Sequence, residues 1–301
     1  MARQPGRRMH QTMKTLLSYL LWPALFGACT IATAIGIAYD HGILVFNVTY
    51  LALAATLCVL ERIMPHERRW LAPDRQMTAD LCHTLLNKGV VQMIIVFTTL
   101  TGLGRTMGAS GPNHWPVGWP WALQIVLCLV LMELGLYWQH RLAHEIPRLW
   151  PFHAVHHSVP RLWFFNTGRF HLVDTLSGLV FCLPLVLALG VPNPVLSMAA
   201  AITAFIGMLT HCNVEMRCGV LNTVFNTPNL HRWHHSPDLR EGNKNYGENI
   251  TVFDHLFGTY FFESRRPPAE IGIAEPMPVG FLGQLKAPFA MFRALGRVAA
   301  E

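Results

Sequence analysis

Six long, predominantly apolar runs constrain this chain more than any other feature of its 301 residues. Four of them, Thr15–Tyr39, Ile43–Leu60, Asp80–Leu103 and Pro120–Gln139, have the ~17–25 residues that a helix needs to cross a bilayer. Hydrocarbon offers no water to satisfy backbone N–H and C=O groups, so a spanning segment must be a helix or part of a closed barrel. Runs of this length exceed the ~9–11 residues of a barrel strand. Two further runs, Leu172–Gly190 and Val195–Thr210, are separated by Val191-Pro-Asn-Pro and predict a hairpin of shorter or shallower helices. Charged residues make up 13% of the chain and the mean hydropathy is +0.31, against about 25% charged in soluble domains. The fold class implied is all-α: one integral-membrane helical bundle over 1–301, with about four full spans in 15–139 and a helical hairpin in 172–210.

Basic residues orient the bundle. The N-terminus carries Arg3, Arg7, Arg8 and Lys14, and the 61–78 loop carries Arg62, Arg68, Arg69 and Arg75, whereas 104–119 has only Arg105. The positive-inside rule places both basic segments in the cytoplasm. Counting crossings then brings the chain after Gln139, and His211 after the hairpin, to that same face. The first run is too long for a signal peptide and lacks a small-residue cleavage pattern, so it is expected as a retained span. The net charge of +6 is accounted for by basic loops beside anionic lipid, without a nucleic-acid partner. The seven cysteines contain no CxxC, which argues against a disulfide framework or zinc ribbon.

Against this apolar background the histidines are concentrated. HRLAH at 140–144, HAVHH at 153–157 and HRWHH at 231–235 hold eight of the 16, although an HxxHH pattern is expected by chance only roughly 0.04 times in such a chain. His140 and His144 are four apart, and His153, His156 and His157, like His231, His234 and His235, have offsets of 0, 3 and 4, which places each set on one helical face. Pro151 and Pro228 suit the first turns of the two later helices, with Thr227 as an N-cap. Clustered imidazoles without interleaved acids repel if protonated, but a bound divalent ion uses them neutral. Eight ligands exceed one coordination shell, so two metal ions are expected. His171 and His211, at the two ends of the hairpin, fall at the same membrane level and join the candidate ligands. Isolated histidines such as His83 and His255 are assigned ordinary hydrogen-bonding roles.

These residues resemble the fatty acid hydroxylase and sterol desaturase superfamily of membrane di-iron enzymes. The resemblance rests on ELGLYWQHRLAH, LWPFHAVHHSVP, RFH at 169–171, THCN at 210–213, TPNLHRWHHSPD, NYG at 245–247 and FDHLFGTY at 253–260, which follow one another in the family's order. Two departures stand out: Phe253 replaces the usual Trp before the acid, and Leu172 follows the single His where relatives often have Pro. The resemblance implies two iron ions, replaceable by zinc on purification, with O2 as co-substrate and hydroxylation or desaturation of an unactivated lipid C–H bond. It also implies a cytoplasmic metal-binding region in 140–171 and 211–262 of a protein in the inner, cytoplasmic membrane. Glu133, seven residues before His140 in a membrane run where a carboxylate is costly, and Asp238, Asn245 and Asp254 in the matched motifs, are candidates to orient the ligands. The chain has no GxGxxG loop and no cysteine set for an iron–sulfur cluster, so a separate ferredoxin, rubredoxin or cytochrome with its reductase is implied. Arg141, Arg148, Arg161 and Arg169 are candidates for its docking surface.

Two other classes compete. A histidine-rich metal transporter would need polar groups along several spans to form a path, but outside the clusters these are limited to Asp80, His83 and Lys88 in one half of the third run. A catalytically silent scaffold would not need so complete a histidine set.

Overall fold

The computed structural model describes residues 5–100 and 114–298. Its long helices are α1 (Pro5–Ala38), α2 (Gly42–Ile63), α3 (Met77–Leu100), α4 (Trp121–Glu145), α6 (Leu172–Ala188), α7 (Asn193–His211) and α11 (Phe281–Val298). Shorter ones, α5 (Trp150–His157), α8 (Pro228–His234), α9 (Leu239–Gly242) and α10 (Val252–Phe257), lie between or after them. Among the described residues there is no β-strand, only the isolated bridges Pro65–Val214 and Phe225–Ile250.

Among the described residues four helices are long and apolar enough to cross a membrane: α1 over Thr12–Ala38, α2, α4 and α7. The count matches expectation, but its membership differs. α7, expected as half of a shallow hairpin, has 19 residues and is the most enclosed of the four, with 61% of its apolar window buried against 11% for α2. It is the axis of the bundle. Phe205, Leu209 and Cys212 pack with Trp22 of α1 and with Leu53 and Leu57 of α2. Val195, Met198 and Ile202 pack with Cys128 and Met132 of α4 and with Val186 of α6. The partner helix α6 has 17 residues and remains a shorter apolar helix. Gly135 lets α4 and α6 touch, because a Cβ there would collide with the backbone of Phe181.

The expected third span begins in α3, while its last residues 101–103, and Arg105 beyond, lie outside the described residues. α3 is not among the four apolar spans because it carries a polar face. Buried Asp80 pairs with Arg169 at 3.0 Å, His83 Nε2 donates to Gln284 Oε1 at 3.1 Å, and Asn87 donates to the carbonyls of Gly168 and Phe170. Each such group is costly to bury unless it is bonded. α3 is thus shaped to hold the 163–170 segment and α11.

The end of α2, the end of α7 and the first part of α1 meet at one end of the bundle. Glu61 accepts the backbone N–H groups of Phe164 and Asn213 at 2.8 and 2.9 Å, His66 N donates to Asn213 O, and Arg217 N donates to Ser18 O. The three histidine clusters are gathered at this same end.

Candidate metal centre

Each histidine-bearing helix forms for a local reason. α5 starts with Pro151 in its first turn, and α8 starts at the Thr227 N-cap, whose Oγ1 accepts the Leu230 N–H, with Pro228 next. Proline costs nothing there because the first-turn N–H groups have no helical partner. The two short helices and the end of α4 then face one another.

Nine imidazoles converge, in two groups. His140, His144, His153, His157 and His234 form one, and His156, His211, His231 and His235 the other, with the candidate ligand atoms of each group within 4.8 Å of one another. The sequence pattern places each HxxHH on a single face, but the structure divides both. His153 and His157, four apart, join the first group while His156 turns to the second; His231 and His235 join the second while His234 turns to the first. A residue at i+3 and one at i+4 differ by about 100° around a helix, enough to aim them at different centres.

Within the groups Nε2 atoms nearly touch. His144 to His157 is 3.1 Å, His157 to His153 is 3.2 Å, His231 to His211 is 2.8 Å and His235 to His231 is 3.1 Å. Nitrogens bound at roughly 2.1 Å to a single ion are about 2.9–3.4 Å apart along octahedral or tetrahedral edges, so these spacings fit a metal. The buried Nε2 atoms of His140 and His234 have no hydrogen-bond partner, nor do the Nδ1 atoms of His231 and His235. Burial first, then the neighbouring imidazoles, hold His156, His157, His231 and His235 well below the ordinary imidazole range. They are neutral near pH 7, the state that ligates.

The outward nitrogens are held by acceptors. Nδ1–H of His140 donates to Tyr246 O at 2.8 Å, that of His234 to Lys244 O at 2.8 Å, and that of His144 to Asn243 Oδ1 at 3.1 Å. His153 donates to Asp174 Oδ2 at 2.9 Å, His156 to Arg169 O at 3.3 Å and His211 to Asn166 Oδ1 at 3.0 Å. An acceptor fixed at Nδ1 puts the proton there and leaves the Nε2 lone pair facing inward. Asp174 is itself held by Gln139 Nε2 at 2.7 Å.

Three of the four expected orienting residues act on one loop. Glu133, fully buried, accepts from Glu248 N at 2.5 Å and from Asn249 N and Nδ2 at 3.0 and 2.8 Å. Asp254 accepts from Tyr246 N and Gly247 N, both at 2.8 Å, and from Thr259 Oγ1. Asn245 takes a left-handed backbone (φ 55°), which Asn tolerates, and exchanges hydrogen bonds with the backbone of Phe261. The 245–249 loop is therefore clamped from both sides, and its Tyr246 carbonyl sets His140. Glu133 reaches the histidines through this loop, not by touching a ring. Asp238 is a correction: it caps α9 through Arg240 N and pairs with exposed Arg240, on the surface.

His171 is a second correction. It belongs to neither group; its Nδ1 accepts the Val173 N–H as N-cap of α6, and its Nε2 donates to Leu285 O of α11 at 3.2 Å. Both nitrogens are thus occupied, one by the helix start that the apolar run after it requires and the other by α11. His171→Ala is therefore expected to keep its full metal content by elemental analysis, with some loss of thermal stability; loss of one metal per chain would return His171 to the ligand set. The proposed basic docking surface also changes, since Arg169 is buried against Asp80 and Arg161 pairs with Asp74 at 2.9 Å, which leaves Arg148 exposed and Arg141 bonded to Glu145.

Asp174, Asn166 and Asn243 were not foreseen. For Asp174 a signal existed: an acid in the first turn of an apolar helix, the same argument that singles out Glu133. The two asparagines lie in irregular segments without any such pattern.

A cavity of about 730 Å³ reaches the first group, with His144, His157 and His234 in its wall beside Trp150, Asn243, Leu239, Ile273 and Met291. None of the second group's histidines lines it.

Residues 125–259, which begin inside α4 and contain all nine imidazoles, match the family model described as fatty acid hydroxylase. The ornithine lipid hydroxylase OlsE of Rhizobium tropici is 47% identical over 280 residues, covering 91% of this chain and 84% of that protein. The chain belongs to the fatty acid hydroxylase family. Alkylglycerol monooxygenases of Danio rerio and Homo sapiens are similar over about half of the chain, at 31% and 28% identity, and the match spans only 32% and 35% of their length. No solved structure matches significantly. As a family member the chain is an integral-membrane, metal-binding oxidoreductase that hydroxylates a lipid, and this favours the enzyme over the transporter and silent-scaffold alternatives.

Proposed function

We propose that this hydroxylase holds two iron ions, one in each histidine group, and inserts one oxygen atom of O2 into a C–H bond of an ornithine-type lipid on the cytoplasmic side of the cytoplasmic membrane. The observation that carries the metal assignment is the division of nine imidazoles, eight of them buried, into two groups with Nε2 atoms 2.8–3.2 Å apart. His140, His144, His153, His157 and His234 would hold one ion and His156, His211, His231 and His235 the other. Iron bound there supplies the activation of O2. Imidazole suits iron, zinc and copper alike, and the choice of iron rests on the oxidative chemistry of the family.

The chain's own residues perform the rest. Carbonyl, amide and carboxylate acceptors hold a proton at Nδ1 of six histidines, so the inward lone pairs cannot be lost to tautomerisation. Asp174 does so with a carboxylate oxygen, which fixes the orientation of the His153 ring. The group of four is fully buried, whereas the first group meets the cavity. The mostly apolar cavity beside the first group suits a lipid segment, and Glu275, at its rim and within reach of Trp150 Nε1 at 3.2 Å, offers a carboxylate to an amino headgroup.

Monooxygenation sends the second oxygen atom to water and consumes two electrons and two protons. All seven cysteines are isolated thiols, which supports delivery of those electrons by a separate ferredoxin, rubredoxin or cytochrome.

Lipid mass spectrometry of cells with and without the gene tests this reading. An ornithine lipid that gains one oxygen is the expected product. A product that lacks two hydrogens would make the enzyme a desaturase, and oxidation of an acylglycerol lipid alone would remove the headgroup assignment.

A further inference from the structure

The last helix supplies none of the nine clustered histidines, yet its surface is unlike that of a water-soluble cap. The α11 segment contains Lys286, Arg293 and Arg297 and no acidic residue. Leu282, Lys286, Phe289 and Arg293 follow one another at steps of four, three and four, which places them on one face, and all four are exposed. Leu282 is 66% and Phe289 48% accessible, with Phe292 beside them at 41%. The opposite face is tied down: Gln284 bonds Gln76 at 3.2 Å and His83 at 3.1 Å, while the Leu285 carbonyl accepts from His171.

Those ties fix the height of α11. Gln76 and His83 lie at the start of α3, and His171 at the start of α6, which are the points where two apolar helices enter the bundle from the metal-centre end. α11 is thus held at the level where the chain passes from the polar cap into hydrocarbon, with Leu282 directed outward and Phe289 half exposed, one side of its ring resting on Phe152 and His171. A helix in that position with apolar and basic residues on one face matches a bilayer surface, where the rings enter the acyl boundary and the cations meet lipid phosphates.

We propose that the outer face of α11 is seated in the surface of an anionic leaflet on the metal-centre side of the membrane. Its Met291 and Ala294 also line the cavity beside His144, His157 and His234, so the same seating opens the cavity mouth to lipid in place of water. The proposal does not depend on which metal is bound or which lipid is oxidised.

Amide hydrogen exchange on the full chain in nanodiscs tests it without any variant. Peptides covering 281–294 should exchange more slowly in discs containing phosphatidylglycerol than in purely zwitterionic ones. Lys286→Gln and Arg293→Gln should each weaken that extra protection about fivefold, the share of one basic side chain at an anionic surface. In the anionic discs a nitroxide on Phe289→Cys should be relaxed more by oxygen than by a water-soluble nickel complex, and one on Arg240→Cys, at the exposed surface of α9, should show the reverse. Equal protection in the two lipids, or the same nickel accessibility at 289 as at 240, would overturn the proposal. Protection that rises with protein concentration instead would assign the face to a second copy of the chain, and overturns it too.

Discussion

His231→Ala is expected to lower lipid hydroxylation by more than the ~10–100-fold that changes beyond the ligands typically cause, and to remove metal from the group of four. His231 Nε2 is 2.8 Å from His211 Nε2 and 3.1 Å from His235 Nε2, the only ring in that group with two such contacts among the described residues. Its loss therefore removes the vertex that the others share. His157→Ala should do the same to the group of five, where His157 Nε2 lies between His144 at 3.1 Å and His153 at 3.2 Å. Product formed per folded protein, together with iron per chain by elemental analysis, checks both. The unmodified chain should carry close to two metals. Full activity in either variant would remove that residue from the centre, and a single metal in active wild-type protein would end the two-ion assignment.

Glu133→Ala is expected to be nearly as damaging without touching a ligand. Three donors, Glu248 N, Asn249 N and Asn249 Nδ2, lose their acceptor, and each unsatisfied buried donor costs about 1–3 kcal/mol. The whole should destabilise the fold on the order of 3 kcal/mol or more and free the loop whose Tyr246 carbonyl holds His140. Glu133→Gln distinguishes loop clamping from a charge requirement. Gln keeps one acceptor oxygen but presents an NH2 to the other donors, so an intermediate loss, about 10–100-fold in turnover with most metal retained, is the expected result. Wild-type turnover in Glu133→Gln would show that a single accepting oxygen suffices. Complete loss of metal in it would place the carboxylate closer to the ligand set than its hydrogen bonds do.

The two predictions describe one construction. The histidines come from helices, which are stiff, but their outward nitrogens rest on loops, which are not. Asp254 and Glu133 make the 245–249 loop rigid by spending carboxylate oxygens on backbone N–H groups, and Asn245 accepts a left-handed turn to bring Tyr246 into place. Asp174 does the corresponding work for His153 from the first turn of α6.

Much of this was legible in order along the chain. Apolar runs of spanning length dictate helices because hydrocarbon forbids unpaired backbone, and proline and Thr227 mark where the short helices begin. The histidine spacing was sufficient to single out the clusters that could hold metal, and the motif order pointed to the family. What the spacing left open was how the clusters combine. Periodicity describes one helix at a time, so it could not show that His156 and His234 cross to opposite groups, a choice made by how α5 and α8 pack against α4 and α7. Nor could it separate a histidine that ligates from one that caps: His171 and His211 stand at equivalent ends of the hairpin, and only the packing of α11 against α6 and of α8 against α7 gives them different partners. Run length likewise ranked the third run, 80–103, above 195–210 as a span, because length alone does not weigh Asp80, His83 and Asn87, the polar residues that keep α3 out of the apolar set. The residue types and their local faces were properties of the sequence, whereas partnership across helices, the quantity that turns nine imidazoles into two centres, exists only once distant segments are held within a few ångströms of each other.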